Sequence, residues 1–143
     1  LKSEKNREAA MCRIYSTVLM VGTKDKTHGL QELPLRLLVM DTGKQALKCL
    51  REESIDSVIS RWDLLDMPNG LLFQRILAAR PKMPTVALIE SGNTEQEILA
   101  RSLGVTAVIT DDAEGEYLRR LICQILHLED GVALHAAAAD EFD

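Results

Sequence analysis

The chain has 143 residues, 46% of them hydrophobic and 27% charged, a size and apolar content that suit one domain with its own core. A formal net charge of -5 and an aromatic content of 3% argue against a surface that neutralises phosphates or stacks bases, so nucleic acid is not an expected partner. The longest apolar runs fall well short of the ~18 residues of a membrane span and the N-terminus is polar, so no membrane contact is expected and the cytoplasm is the expected location.

Thr17–Gly22 is a short apolar run ending in glycine, and the polar stretch after it holds His28 and Gly29 before Pro34. It reads as a first strand followed by a short or irregular helix. Leu35–Met40 is a second strand, and beyond Asp41, Thr42 and Gly43 the apolar positions Ala46, Leu47 and Leu50 recur at helical spacing. Ser57–Ser60 is a third strand, leading through a turn to a helix with Leu71, Leu72, Ile76, Leu77 and Ala79 that Arg80 and Pro81 end. Thr85–Ile89 is a fourth strand, and Ser91–Thr94 opens a helix containing Ile98, Leu99 and Leu103 that Gly104 closes. Val105–Ile109 is a fifth strand, after which Leu118, Leu121, Ile122 and Ile125 line one face of a last helix reaching about His127.

Five nearly continuous apolar strands alternating with five helices imply a parallel sheet covered on both faces, hence a doubly wound α/β domain. That domain is expected over 16–128, with a charged appendage over 1–15 and an alanine-rich, acidic tail over 129–143.

In such sheets reacting groups gather beyond the carboxyl ends of the strands. The residues there are Gly22 and Thr23 after strand one, Arg61, Trp62 and Asp63 after strand three, Glu90 and Ser91 after strand four, and Thr110, Asp111 and Asp112 after strand five. They include no evident nucleophile and base, and the chain carries no dinucleotide, phosphate-loop or hydrolase signature. Cys12, Cys49 and Cys123, like His28, His127 and His135, lack the spacing of a metal site. Reduced thiols are expected, with no metal and no cofactor.

Five features stand in order along the chain: the strand end Val58–Ser60, the turn Asp66–Gly70 (DMPNG), Pro81–Pro84 (PKMP) before strand four, Ala100–Gly104 (ARSLG) before strand five, and the closing amphipathic helix. Together they resemble the receiver domain of bacterial two-component response regulators over roughly 16–128, which implies a flavodoxin-like five-stranded sheet in the order 2-1-3-4-5. The resemblance also implies acids after strand one and an aspartate after strand three that hold Mg²⁺ and accept phosphate, a hydroxyl after strand four, and a lysine after strand five.

This chain departs from that pattern. Gly22 and Thr23 stand where the acidic pair is expected, with Asp25 the nearest carboxylate. Counting from Ser60 puts Arg61 at the acceptor position, and counting back from Gly70 puts Trp62 there, so the turn is one residue longer than usual. Ser91 supplies the hydroxyl only if Glu90 is skipped, and Asp111 replaces the lysine. The expectation is a degenerate receiver that is not an enzyme and serves as a phosphorylation-independent interaction or dimerisation module. The alternatives are phosphorylation at a displaced Asp63, helped by Asp25, Glu90 or Asp111, and an anion sensor built on Arg61. Arg61 is otherwise expected to pair with Asp111, Asp112 or Glu90.

Trp62 reads either as a cap on the core beside the loop or as an anchor for a partner. Tyr117, Leu126 and Leu128 widen the apolar arc of the last helix, and Tyr117, Leu121 and Leu128 are the candidates for contact with a protein partner or a second copy. By resemblance, that face comprises the fourth helix, the fifth strand and the last helix.

Overall fold

The structure, a computed structural model, describes residues 15–128. The N-terminal appendage apart from Tyr15, the C-terminal tail, Cys12 and His135 lie outside the described residues. Five parallel strands, β1 (Ser16–Val21), β2 (Leu35–Met40), β3 (Ser57–Arg61), β4 (Thr85–Ile89) and β5 (Ala107–Thr110), form one sheet in the order β2-β1-β3-β4-β5. The helices are α1 (Gly43–Glu52), α2 (Leu71–Ala79), α3 (Thr94–Leu103) and α4 (Gly115–Leu126). Among the described residues none is long and apolar enough to cross a membrane.

The fold class and strand order are those expected, and the helix count differs. The short or irregular first helix is two 3-10 turns, Lys24–Lys26 and His28–Leu30. Only Leu30 is buried in them, and Leu33 follows three residues on, so this segment has no apolar stripe long enough to hold an α-helix to the sheet. Strand five also starts two residues later than expected, at Ala107, and Thr106 at its entry donates its N–H to Thr85 and accepts from Thr85 N at its hydroxyl.

Alternation along the strands divides the core between the two faces. Val18, Met20, Ile59, Val86 and Leu88 face Leu118 and Ile122 of α4, whereas Leu19, Val21 and Val58 face Ala46 and Leu50 of α1 and Leu72 and Ile76 of α2. A third cluster joins Trp62 and Phe73 to Ala87, Ile89 and Ala100 beneath α3.

Local capping fixes where the helices start. Thr42 and Gln45 satisfy each other's backbone in a capping box at α1, and the Asn93 side chain accepts from Gln96 N at α3. Asp66, from the turn after β3, adds its two oxygens to the first turn of α1, taking the N–H groups of Gly43 at 2.9 Å and Lys44 at 3.0 Å. Those two bonds hold its carboxyl below the usual carboxylate range.

Candidate functional site: an ion cluster at the carboxyl rim

Sheet register sets the site. Ser60 lies opposite Val21, so Arg61, the last residue of β3, stands beside Gly22. On its other side Arg61 pairs with Leu88, and β4 and β5 end together where Ile89 meets Thr110. The segments that follow β1, β3 and β5 therefore meet at one rim.

Arg61 lies across that rim. Its Nε donates to the Gly22 carbonyl at 2.6 Å, one terminal nitrogen lies 3.2 and 3.4 Å from the two oxygens of Asp25, and the other lies 3.6 Å from Asp111. Of the three acids expected to meet Arg61, Asp111 does so, and Asp25 joins it. Asp112 instead takes the hydroxyl of Thr110 and, secondarily, that of Ser91, which hold its carboxyl below the usual range. Glu90 contributes its main-chain N–H to Gln96 Oε1 at 2.9 Å, and its side chain is exposed.

A second cation completes the cluster. Lys26, at the end of the first 3-10 turn, donates from Nζ to the main-chain carbonyl of Asp111 at 2.5 Å and lies 4.0 Å from Asp25. Its side chain is 16% exposed against 58% for Asp25, so the stem packs against the protein while the head reaches the rim. Arg61 and Lys26 thus balance Asp25 and Asp111. The hydroxyl of Thr23 is buried without a hydrogen-bond partner.

Asp63 is turned away from this cluster. Its Oδ1 accepts from Asn69 N, closing the loop after β3, and its Oδ2 accepts from Gln96 Nε2 at 3.0 Å. Gln96 therefore clips the loops after β3 and β4 to the first turn of α3. Trp62 is 3% exposed and stacks on Phe73 with ring centroids 5.9 Å apart, so it belongs to the core and offers no anchor to a partner. Its ring runs directly under Gly70, where a Cβ would strike it, and Gly70 holds φ +73°. The turn is closed by a bond from Gly70 N to the Trp62 carbonyl at 2.9 Å, with Leu65 fully outside.

Of the interface candidates, Tyr117 is 56% exposed, whereas Leu121 and Leu128 are partly buried against the core. Tyr117 borders a groove of about 490 Å³ lined also by Val108, Ile109, Thr110, Ala113 and Glu114. Sequence reasoning missed Lys26 and Gln96, and it named Asp25 without placing it against Arg61.

No protein-family model matches the chain. It is 27% identical over 105 residues to the transcriptional regulatory proteins GlrR of Escherichia coli K12 and QseF of Escherichia coli O157:H7, a match covering 73% of this chain and 22% of each relative. The chain thus spans about a fifth of the length of those relatives. Among solved structures, the signal receiver domain of an HD domain-containing protein from Pseudomonas fluorescens Pf-5 matches with a TM-score of 0.71 at 22% identity, over 79% of this chain and 88% of that one. The receiver domain of sensor histidine kinase PA1611 from Pseudomonas aeruginosa PAO1, solved with magnesium coordinated in its active-site cleft, matches with a TM-score of 0.69 at 15% identity, over 79% and 98%. The fold is that of response-regulator receiver domains.

The donors at this rim do not fit a magnesium ion of the kind coordinated in PA1611. Mg²⁺ takes oxygen ligands in a near-octahedral shell. Here the Arg61 guanidinium lies between Asp25 and Asp111, and among the described residues no group of three His, Cys, Asp or Glu is placed to hold a metal ion.

Proposed function

We propose that the chain is a receiver-type domain of two-component signalling whose phosphoryl-transfer site is replaced by a closed ion cluster, so that it works by protein contact and not by turnover. One observation carries the reading: the residue that ends β3 is Arg61, and its guanidinium is already bonded to Gly22, Asp25 and Asp111. A cation there opposes the approach of Mg²⁺ and removes the nucleophilic carboxylate that an in-line transfer needs. Asp63 is a poor substitute, because both of its oxygens accept hydrogen bonds and a phosphoryl group would displace Gln96 or Asn69. Anion sensing at Arg61 is disfavoured too, since an anion would have to compete with two carboxylates already in place.

The partner is a protein or a second copy of the chain, met on the face that carries Tyr117 and the groove beside it, in a cytoplasmic regulator. Exposure of the protein to Mg²⁺ and acetyl phosphate, followed by intact mass measurement, tests the central claim. The unmodified mass is expected. A single added phosphoryl group that Asp63→Asn abolishes would overturn the reading.

A further inference from the structure

The loop that joins β5 to α4 is held from outside its own sequence at three places. Lys26 Nζ bonds the Asp111 carbonyl, Arg61 pairs with the Asp111 carboxylate, and the second 3-10 turn packs against α4. That last contact is made backbone to backbone: a Cβ placed on Gly29 would lie 3.0 Å from the Gly115 carbonyl oxygen. Lys26 and Gly29 are three residues apart, and they touch the two ends of the segment Asp111–Gly115. Between those ends, and just beyond them, lie Thr110, Ala113, Glu114 and Tyr117, which line the groove.

We infer that the segment Lys24–Leu30 is a strap that sets the groove beside Tyr117, with Lys26 and Gly29 as its positioning residues. Two short turns place the Lys26 ammonium against the Asp111 carbonyl and the Gly29 main chain against Gly115, the first residue of α4. The contact to Asp111 is charge-assisted and largely shielded from solvent, so it exceeds an ordinary surface pair in strength. The strap meets the ion cluster at Asp25 and Asp111 and meets α4 at Gly115, so it joins the cluster to the groove with no phosphate involved. The inference rests on the proposed partner face for its biological meaning, but its test reads only the order of the loop.

Hydrogen exchange followed by mass spectrometry on the full chain makes that test. The reporters are the amides of Asp111, Ala113, Tyr117 and Leu118, all hydrogen-bonded to main-chain carbonyls. Lys26→Met keeps the stem and removes the ammonium, and Gly29→Ala presses on Gly115. Each is expected to speed exchange across this segment by about tenfold, the scale of losing one charge-assisted bond, while the amides of Val18–Val21 keep their protection. Lys26→Arg is expected to restore most of that protection, and Lys48→Met, which breaks an exposed pair on α1, to leave the loop unchanged. Unaltered exchange in the loop, a uniform rise across the sheet, or failure of Lys26→Arg to recover more than Lys26→Met would each overturn the strap. A phosphorylated wild type with a strap that behaves as described would overturn the proposed function alone.

Discussion

Arg61→Met isolates the ion cluster, because methionine keeps much of the apolar stem and removes every charged contact. The largest loss is the hydrogen bond from Nε to the Gly22 carbonyl at 2.6 Å, made by a guanidinium only 32% exposed. A bond from a charged donor in such a place is worth about 1.5–2 kcal/mol. The pairs with Asp25 and Asp111 involve partners 58% and 37% exposed and, discounted for solvent, add no more than about 0.5 kcal/mol together. Asp25 and Asp111 then face each other with only Lys26 between them, which offsets little of the loss. The expected destabilisation is about 2 kcal/mol, or a drop of roughly 1 M in the urea midpoint for a domain of this size. Trp62, the single tryptophan, is buried next to the substituted residue and reports the transition by fluorescence. Urea is preferred to guanidinium chloride, which would itself screen the cluster. At 1 M sodium chloride most of the destabilisation should persist, since salt screens the exposed ion pairs more than the bond to Gly22. A loss under 0.5 kcal/mol, or one that high salt erases, would refute the reasoning and reduce Arg61 to a surface charge.

Two further perturbations probe the frame around the cluster. Asp66 has its folded pKa lowered by the N–H groups of Gly43 and Lys44, so its contribution is present above its unfolded value of about 3.9 and is lost as pH falls through the lower folded value. Asp66→Ala should therefore cost about 0.5 kcal/mol at neutral pH, a low figure for a cap because the carboxylate is exposed. Wild type and variant should converge in urea titrations carried out below the folded pKa; a gap that stays constant with pH would refute the cap. Gly70→Ala places a methyl group against the Trp62 ring at a φ of +73°, and about 3 kcal/mol of destabilisation is expected from the clash and the backbone together. Thermal unfolding within a degree or two of wild type would count against that packing.

The strands were legible because each is a short apolar run between turn residues, and their order followed from the receiver resemblance. The first connection was legible only as an irregular segment: Leu30 and Leu33 are too few apolar positions to specify a helix, and nothing in the sequence fixes which way two short turns aim their side chains. That is why Asp25 was visible as a carboxylate but not as the partner of Arg61. Lys26 and Gln96 escaped for a different reason. The shortest bond of each goes to a main-chain atom, the Asp111 carbonyl and the Glu90 N–H, and main-chain atoms carry no residue identity to search for; the side-chain partners, Asp25 and Asp63, are set by how the loops turn. The pairing of Arg61 with Asp111 was accessible because both ends are side chains of opposite charge placed at strand ends. Trp62 left two readings open in sequence, core and anchor, and only the Phe73 stack and the close approach of Gly70 decide between them.

The proposed function has a consequence in time. A site charged by a donor must later be discharged, and the interval between the two events gives a signal its duration. The cluster of Arg61, Lys26, Asp25 and Asp111, all supplied by the same chain, is complete as soon as the domain folds, and under the proposed function it has nothing to shed. A domain of that kind keeps no clock. The strength of whatever it communicates would follow the number of copies made and the lifetime of each fold.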